Sequence, residues 1–375
     1  MNNVNKIKKC SGCGTCTAVC PKGIIQMRLD EDGFYKPAIT NEQDCINCGK
    51  CLKVCSSLSE TPKKNIIGSY SASSKDDYII KNCSSGGIAY EIARYLNKHN
   101  YNICGCEYNV KDQNAVHKIV KSIDEYEKCM GSKYIQSKTE NALHEMIKGL
   151  KNEDKFVFFG TPCQVAGVSK MAIQNNIREK IVLVDFFCHG IPSYFLWKNY
   201  LNFIKENKKL CNIQKVNFRD KNKGWHEYTL TTADGNTNVF SQSLTEGNWF
   251  FKFFLSDVCL NDVCYDCKFR ADQSFADIRV GDLWCKKYMS DRRGMSAVLT
   301  FTEIGDKIIK ELSNVCKIDQ EATEIVIEEQ IKSTIPIPTF RKSIIKDLKN
   351  NKSFPKIYYQ KVIPSKIIKK LKGEN

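Results

Sequence analysis

Two stretches near the start of the chain, CSGCGTCTAVCPKG from Cys10 and CINCGKCLKVCSSL from Cys45, space four cysteines identically, as C-x2-C-x2-C-x3-C. Three thiolates two residues apart on a tight loop can wrap three irons of one cubane, while the fourth opens a helical turn and points toward a neighbouring cube. The spacing therefore assigns Cys10, Cys13, Cys16 and Cys55 to one 4Fe-4S cluster and Cys45, Cys48, Cys51 and Cys20 to a second. Zinc sites use separated C-x2-C pairs rather than a repeated triplet plus one, so iron-sulfur is the stronger reading. Gly12, Gly14 and Gly49 suit the loops, and Pro21 is replaced by Ser56 after the second run without touching a ligand.

This repeat is the pattern of a bacterial two-cluster ferredoxin, which residues 1–58 are expected to form. A module of this size has little core of its own, so bound clusters should supply much of its folding energy and iron removal should unfold it. Adjacent clusters conduct electrons and bind no organic substrate. The chemistry that uses those electrons must lie in the rest of the chain.

The 375 residues include 20 cysteines, yet no apolar h-region follows MNNVNKIKKC. The most apolar later stretch, KIVLVDFFCHGIPSYFLW, is interrupted by Lys180, Asp185 and His189, which argues against a membrane span. The expectation is a cytoplasmic protein whose thiols stay reduced and serve metal or redox chemistry. Of the net charge of +15, residues 341–375 carry +9, within a basic C-terminal extension over 321–375. No aromatic residues are interleaved with its lysines for stacking, so nucleic acid is not an expected partner. The extension reads as a solvated basic helix or tail, with peripheral contact to an acidic protein or membrane surface as the second reading.

In the body, SETPKKN at 59–65 reads as a linker and IIGSYSAS as a strand. The loop CSSGG then opens the amphipathic IAYEIARYLNKHN, with Ile88, Ile92 and Leu96 on one face. Ser85, Gly86 and Gly87 would present backbone N–H groups to an anion, as an ordinary turn also could. After a strand at YNICGCEYN, the segment MGSKYIQSK gathers Gly131, Ser132, Lys133, Tyr134 and Ser137. That mixture suits a phosphate and a flat ring, although a surface hairpin would look similar. A helix at NALHEMIKGLKN follows.

KFVFFG predicts a strand over 155–160, with a Gly160-Thr161-Pro162 turn and a helix over 162–176; KIVLVDFF predicts another strand, with a helix from Pro192. Two strand-turn-helix units suggest a parallel layer with Cys163 and Cys188 at its ligand-binding edge. The chain then turns β-rich, with Asp234-Gly235 as a hairpin turn, before an apolar helical stretch at GNWFFKFFLSDVCL. Cys264 and Cys267 follow as C-x2-C, and a short strand is framed by Asp277 and Asp282. Cys163 could act as a nucleophile if His189 activated it. A third 4Fe-4S cluster would instead use all four separated thiolates, as zinc would too. Cys104, Cys106, Cys129, Cys211 and Cys316 read as small buried hydrophobes.

The cysteine runs, CSSGG, GSKYIQSK, GTPCQ, CHGIPS, FRDKNKGW, CYDCKF and ADIRVGDLW stand in an order that resembles the family of coenzyme F420 hydrogenase/dehydrogenase beta subunits, bacterial type with a fused ferredoxin domain. The resemblance spans roughly residues 1–300. It implies a mixed α/β (α+β) flavin-binding body, with an N-terminal-type domain over 66–150 and a C-terminal-type domain over 151–320. It implies FAD at Ser85, Gly86, Gly87, Gly131, Ser132, Lys133, Tyr134 and Ser137. A third cluster would be held by Cys163, Cys188, Cys264 and Cys267, with Cys259 as an alternative ligand. Arg219, Trp225 and Asp282 lie in matching motifs without an assigned role. The implied function is an oxidoreductase passing electrons between 4Fe-4S clusters and FAD, and on to F420 or another organic acceptor. The alternative is a non-catalytic subunit that transfers electrons for a partner enzyme, including one in polysaccharide biosynthesis. The implied partner is a ferredoxin or a hydrogenase or dehydrogenase subunit.

Overall fold

Phe156 to Phe159 and Ile181 to Val184 are apolar at every position, a pattern suited to strands buried on both faces. The computed structural model, which describes residues 2–62, 65–208, 210, 212–235 and 238–373, places both runs mid-sheet. In chain order the strands are β1 (Ile25–Leu29), β2 (Tyr35–Ile39), β3 (Gly68–Ser74), β4 (Tyr101–Asn109), β5 (Asn114–Val120), β6 (Ser137–Lys138) and β7 (Lys155–Phe159). They continue as β8 (Ile181–Phe186), β9 (Lys215–Asp220), β10 (Thr229–Asp234), β11 (Asn238–Ser243), β12 (Ile278–Asp282), β13 (Ser296–Thr300) and β14 (Cys316–Gln320). Nine of them form one sheet in the order β14-β3-β13-β12-β8-β7-β4-β5-β6. Its centre, β12-β8-β7-β4, is parallel. The sheet runs without a break across residues 150 and 151.

Alternate residues of β7 and β8 serve opposite cores. Val157, Phe159, Val182 and Val184 pack beneath the helices Ile88–Lys98 and Glu303–Glu311. Phe156, Phe158, Ile181 and Leu183 meet the helices Glu140–Lys151 and Pro162–Gln174 on the other face. A second large core joins the helix Tyr194–Lys208, the Phe-rich turn Trp249–Phe254 and the antiparallel sheet β11-β10-β9.

One ion pair joins the parallel strands at the site end of the sheet. Asp185 on β8 and Arg279 on β12 are register partners and both fully buried. Arg279 Nε and Nη2 donate to the two carboxylate oxygens at 2.7 Å each, and Ser274 Oγ adds a bond of 2.6 Å.

Two expectations need correction. Residues 59–65 do not tether an independent module: Val54 enters the core beneath Phe156 and Phe158, and Phe34 enters the large core. Polar bonds complete the docking, with Thr139 Oγ1 on Cys13 O at 2.8 Å, Tyr194 N on Gly33 O at 2.8 Å and Lys268 Nζ on Ser59 O at 2.9 Å. Nor is the basic extension simply a solvated helix or tail. Ile344, Ile345, Leu348, Phe354, Ile357 and Val362 are buried in the large core, because the apolar stripe hidden among the lysines packs on the helix 194–208. Only its last helix, Ile363–Leu371, leaves Ile367 and Leu371 in solvent. The predicted helix from 162 ends at Gln174 rather than 176. Cys211, read as a buried hydrophobe, lies outside the described residues.

Removing one partner of a buried pair leaves the other charge uncompensated, so Asp185→Asn should cost about 3–5 kcal/mol, read as a lower denaturant midpoint. Gly167, where the helix 162–174 crosses the ferredoxin module, has no room for a side chain: a Cβ there would lie 2.3 Å from Thr15 Oγ1 and 3.2 Å from Cys13 Sγ. Gly167→Ala should therefore lose about 1–3 kcal/mol to overpacking, more than the roughly 1 kcal/mol gained in helix propensity. A raised melting temperature in this variant would show that the contact yields.

Candidate redox site

Each N-terminal cysteine run folds as a loop entering one helical turn, with Gly14 and Gly49 in left-handed conformation at φ 79° and 70°. The turn holds the third cysteine of each run, Cys16 or Cys51, and not the fourth; Cys55 opens the short 3-10 turn Ser56–Leu58. Burial, then Cys13 and Cys55, push the Cys10 thiol up to about 12. Cys16 is raised by burial and then by Cys13, Cys10, Cys55 and Cys51. The structure thus gathers Cys10, Cys13, Cys16 and Cys55, with Cys51 of the other run beside them. Cys20, Cys45, Cys48 and Cys51 line one small cavity, at which Cys48 is exposed. Gly12 N–H donates to Cys10 Sγ at 3.3 Å and Asn3 Nδ2 to Cys45 Sγ at 3.5 Å.

The separated cysteines meet at the carboxyl ends of the parallel strands. Cys163 follows β7, Cys188 follows β8, and Cys264 and Cys267 come from the segment ahead of β12. The Cys163 thiol is raised by burial, with Cys188, Cys13 and Cys267 adding to it against the lowering bond from Thr161. Cys188 is raised by burial and by Cys264 and Cys267. Burial takes Cys264 to about 12, with Cys163 and Cys267 contributing and the Ile191 N–H, at 3.4 Å from its sulfur, opposing. Cys259 sits instead in the large core, with Arg341 and the Ser193 backbone as neighbours and no thiol.

The nucleophile reading of Cys163 does not survive this geometry. Burial holds its thiol protonated, and His189 Nε2 is engaged 2.7 Å from Asp257 Oδ1. Among the described residues, neither the N-terminal sets nor this quartet draws three His, Cys, Asp or Glu side chains together as a single ion requires. Zinc would pull each sulfur to about 2.3 Å. The looser spacing shared by all the cysteine sets suits a larger cubane.

A cavity of about 430 Å³ opens at the same strand ends, within the usual range for small-molecule sites. Cys188 lines it, so the third thiol set borders the space directly. Of the residues expected there, Ser85, Gly87, Gly131, Ser132, Lys133, Tyr134 and Ser137 are in its wall. Gly86 is not among them: a Cβ there would lie 2.4 Å from Ala72 O, so its absence lets the loop press against β3 and β13. Gly87, at φ 85°, caps the helix 88–98, whose first residues Ile88 and Ala89 also face the cavity. Lys133 is not a free cation: Nζ donates to the carbonyls of Cys129, Met130 and Gly131 at 2.8, 2.9 and 3.0 Å, and burial lowers its pKa. It shapes the loop. Tyr134 is held by Phe254, 5.4 Å away, and accepts from Arg219 Nη1 at 3.4 Å. Ser137 Oγ accepts from Gln164 Nε2 at 2.9 Å.

Arg219, Trp225 and Asp282 form one buried cluster at the far wall. Trp225 Nε1 donates to Asp282 Oδ1 at 2.7 Å, Arg219 Nη1 lies 3.6 Å from Asp282 Oδ2, and Arg219 Nε has no partner. The Arg219 guanidinium covers Tyr228 at 4.4 Å, and Trp225 stacks on Trp284 at 4.7 Å. Tyr228 and Trp284, both cavity residues, were missed from sequence, since strand alternation alone does not say which face the second sheet turns to the cavity. Arg270, also missed, did leave a signal: a basic residue three positions after a cysteine pair. Cys104 and Cys316 are fully buried as expected, whereas Cys106 and Cys129 are only half-buried and reach the cavity wall.

The donor sets fit cubanes, and the cavity, with a helix N-terminus, an aromatic wall and unpartnered arginine nitrogen, fits an anionic flat-ring cofactor such as a flavin.

Comparison with known proteins agrees with this arrangement. Residues 153–325 match the family described as the C terminus of the coenzyme F420 hydrogenase/dehydrogenase beta subunit, and residues 9–59 match the 4Fe-4S dicluster domain. The chain is 25% identical to the F subunit of the F(420)H(2) dehydrogenase of Methanosarcina mazei over 317 residues, 80% of each protein. It is 26% identical to the coenzyme F420-dependent sulfite reductase of Methanocaldococcus jannaschii, over 82% of this chain and 46% of that protein. A chain of the F420-reducing NiFe hydrogenase complex from Methanosarcina barkeri superposes with a TM-score of 0.48 at 20% identity, covering 80% of this chain and 93% of that one. Among the described residues no helix is long and apolar enough to cross a membrane. The chain belongs to the family of coenzyme F420 hydrogenase/dehydrogenase beta subunits and carries a 4Fe-4S dicluster domain ahead of the family's body.

Proposed function

We propose that this protein is an iron-sulfur flavoprotein oxidoreductase, exchanging electrons between three 4Fe-4S sites and an FAD held in the cavity, and on to F420 or another organic acceptor. The observation that carries the reading is the continuity of thiols. Cys51 of the second set neighbours Cys16 of the first, Cys13 of the first neighbours Cys163 of the third, and Cys188 of the third lines the cavity. When bound, the cubanes supply one-electron transfer and the flavin its exchange with two-electron chemistry.

The chain's own residues position, tune and shield. Cys10, Cys13, Cys16 and Cys55, then Cys20, Cys45, Cys48 and Cys51, then Cys163, Cys188, Cys264 and Cys267 are the ligand sets. The N–H groups of Gly12 and Ile191 stabilise charge on sulfur. Ser85, Gly87 and the start of the helix 88–98 would receive the anionic part of the flavin, and Tyr134 and Phe254 would flank its ring. Because Cys48 is exposed whereas the thiols at the cavity are buried, a redox partner protein would meet the chain at the second set. A purely electron-transferring subunit is the second reading, favoured by the M. mazei relative's description as part of a dehydrogenase.

Anaerobic reconstitution should yield about twelve irons and one FAD per chain. Cys163→Ser should retain about eight irons, keep the fold by circular dichroism, and stop dithionite-independent reduction of the flavin through the clusters. Zinc at the third set, or no bound flavin, would overturn the reading. Bleaching of the flavin by reduced F420 in an absorbance titration would assign F420 as substrate, whereas partner-dependent reduction alone would favour the second reading.

A further inference from the structure

Four arginines are buried among the described residues: Arg219, Arg270, Arg279 and Arg341. Three face a carboxylate, Arg219 with Asp282, Arg279 with Asp185 and Arg341 with Asp262. Arg270 has none. Its Nη2 donates to the carbonyl of Cys264, while Nε and Nη1 are buried without a hydrogen-bond partner. A guanidinium stays charged at any physiological pH, and leaving it buried and unpaired costs several kcal/mol. Its countercharge must therefore come from outside the polypeptide.

The surroundings say what that countercharge is. Arg270 lies in the electrostatic neighbourhood of both Cys188 and Cys264 and borders the cavity beside Cys188. Its own segment is held in place from the other side, since Arg279 Nη1 donates to Ala271 O at 2.6 Å and Nη2 to Gln273 O at 3.1 Å. Four thiolates around a 4Fe-4S core carry net negative charge, which grows by one on taking up an electron. We propose that Arg270 is the built-in counter-ion of the third cluster and a positioning residue that raises its reduction potential above those of the two ferredoxin-type sites. This rests on the iron-sulfur reading of Cys163, Cys188, Cys264 and Cys267. No bond forms or breaks; one electron arrives from a reductant such as dithionite while Arg270 keeps its proton, and the reduced state gains more from the fixed charge than the oxidised one does.

The test is an EPR-monitored dithionite titration of the full chain, reconstituted with iron and sulfide, with Cys163→Ser identifying the third signal by its loss. Arg270→Gln should make the third site harder to reduce by about tenfold in the one-electron equilibrium, about 59 mV, with the other two signals unmoved. Arg270→Lys, which keeps the charge, should recover most of that shift. An Arg270→Gln protein with full iron and an unchanged third potential overturns the inference. If Arg270→Gln loses the third cluster, Arg270→Lys decides: retention near the wild-type potential supports a charge role, and equal loss shows that only packing mattered. A wild-type protein with about eight irons and no third signal would remove the cluster reading itself, and the inference with it.

Discussion

The buried pair between Asp185 and Arg279 is the interaction on which the site end of the molecule depends. Charges taken wholly out of water stand only when every donor and acceptor is met. Here the carboxylate receives Arg279 Nε, Arg279 Nη2 and Ser274 Oγ, and the guanidinium reaches on to the carbonyls of Ala271 and Gln273. One pair thereby does two things. It ties β8 to β12 in register, and it fixes the loop 270–274 against those strands. Cys188 leaves the end of β8, and Cys264, Cys267 and Arg270 enter on the segment leading to that loop, so the third thiol set inherits its geometry from an ion pair that contains no thiol.

A second constraint joins the N-terminal module to the body. Its own core consists of Val4, Ile24 and Ile25 with Cys16 and Cys51, too few apolar groups to hold a fold against chain entropy. The body supplies what is missing through Val54, Phe34 and a set of backbone hydrogen bonds. The segment from Gly131 to Thr139 is the hinge of this arrangement: Tyr134 and Ser137 face the cavity, Gln136 Oε1 accepts from Tyr35 N at 2.8 Å, and Thr139 Oγ1 donates to Cys13 O at 2.8 Å. Cavity and first cysteine set are therefore positioned by a single stretch of chain.

How much of this was legible in the sequence depended on whether the signal was local. The paired cysteine runs, the apolar strands at 156–159 and 181–184, and the glycine-capped helix at 88 announce themselves through spacing and periodicity. The convergence of Cys163, Cys188, Cys264 and Cys267 had partial support from strand-end position. Lys133 illustrates what could not be read: a lysine in a polar loop suggests an anion, but its three carbonyl acceptors exist only once the loop closes. The C-terminal stripe was masked in the same way, because Ile344, Ile345 and Leu348 lie among lysines whose heads stay in water while the apolar face packs.

Burial also explains how the cysteine sets and their surroundings depend on one another. Without iron, the third-set thiols are neutral, since desolvation holds Cys163 and Cys188 well above the ordinary thiol range and Cys264 near 12, and Arg270 then stands unpaired beside them. Ligation by metal requires thiolate, so cluster assembly must displace those protons. The same event that deprotonates the sulfurs supplies the negative charge that the buried guanidinium lacks. Two separately unfavourable features of the empty polypeptide, protonated ligands and an uncompensated arginine, are thus resolved by one occupant, and the fold around Asp185 and Arg279 holds both in place until it arrives.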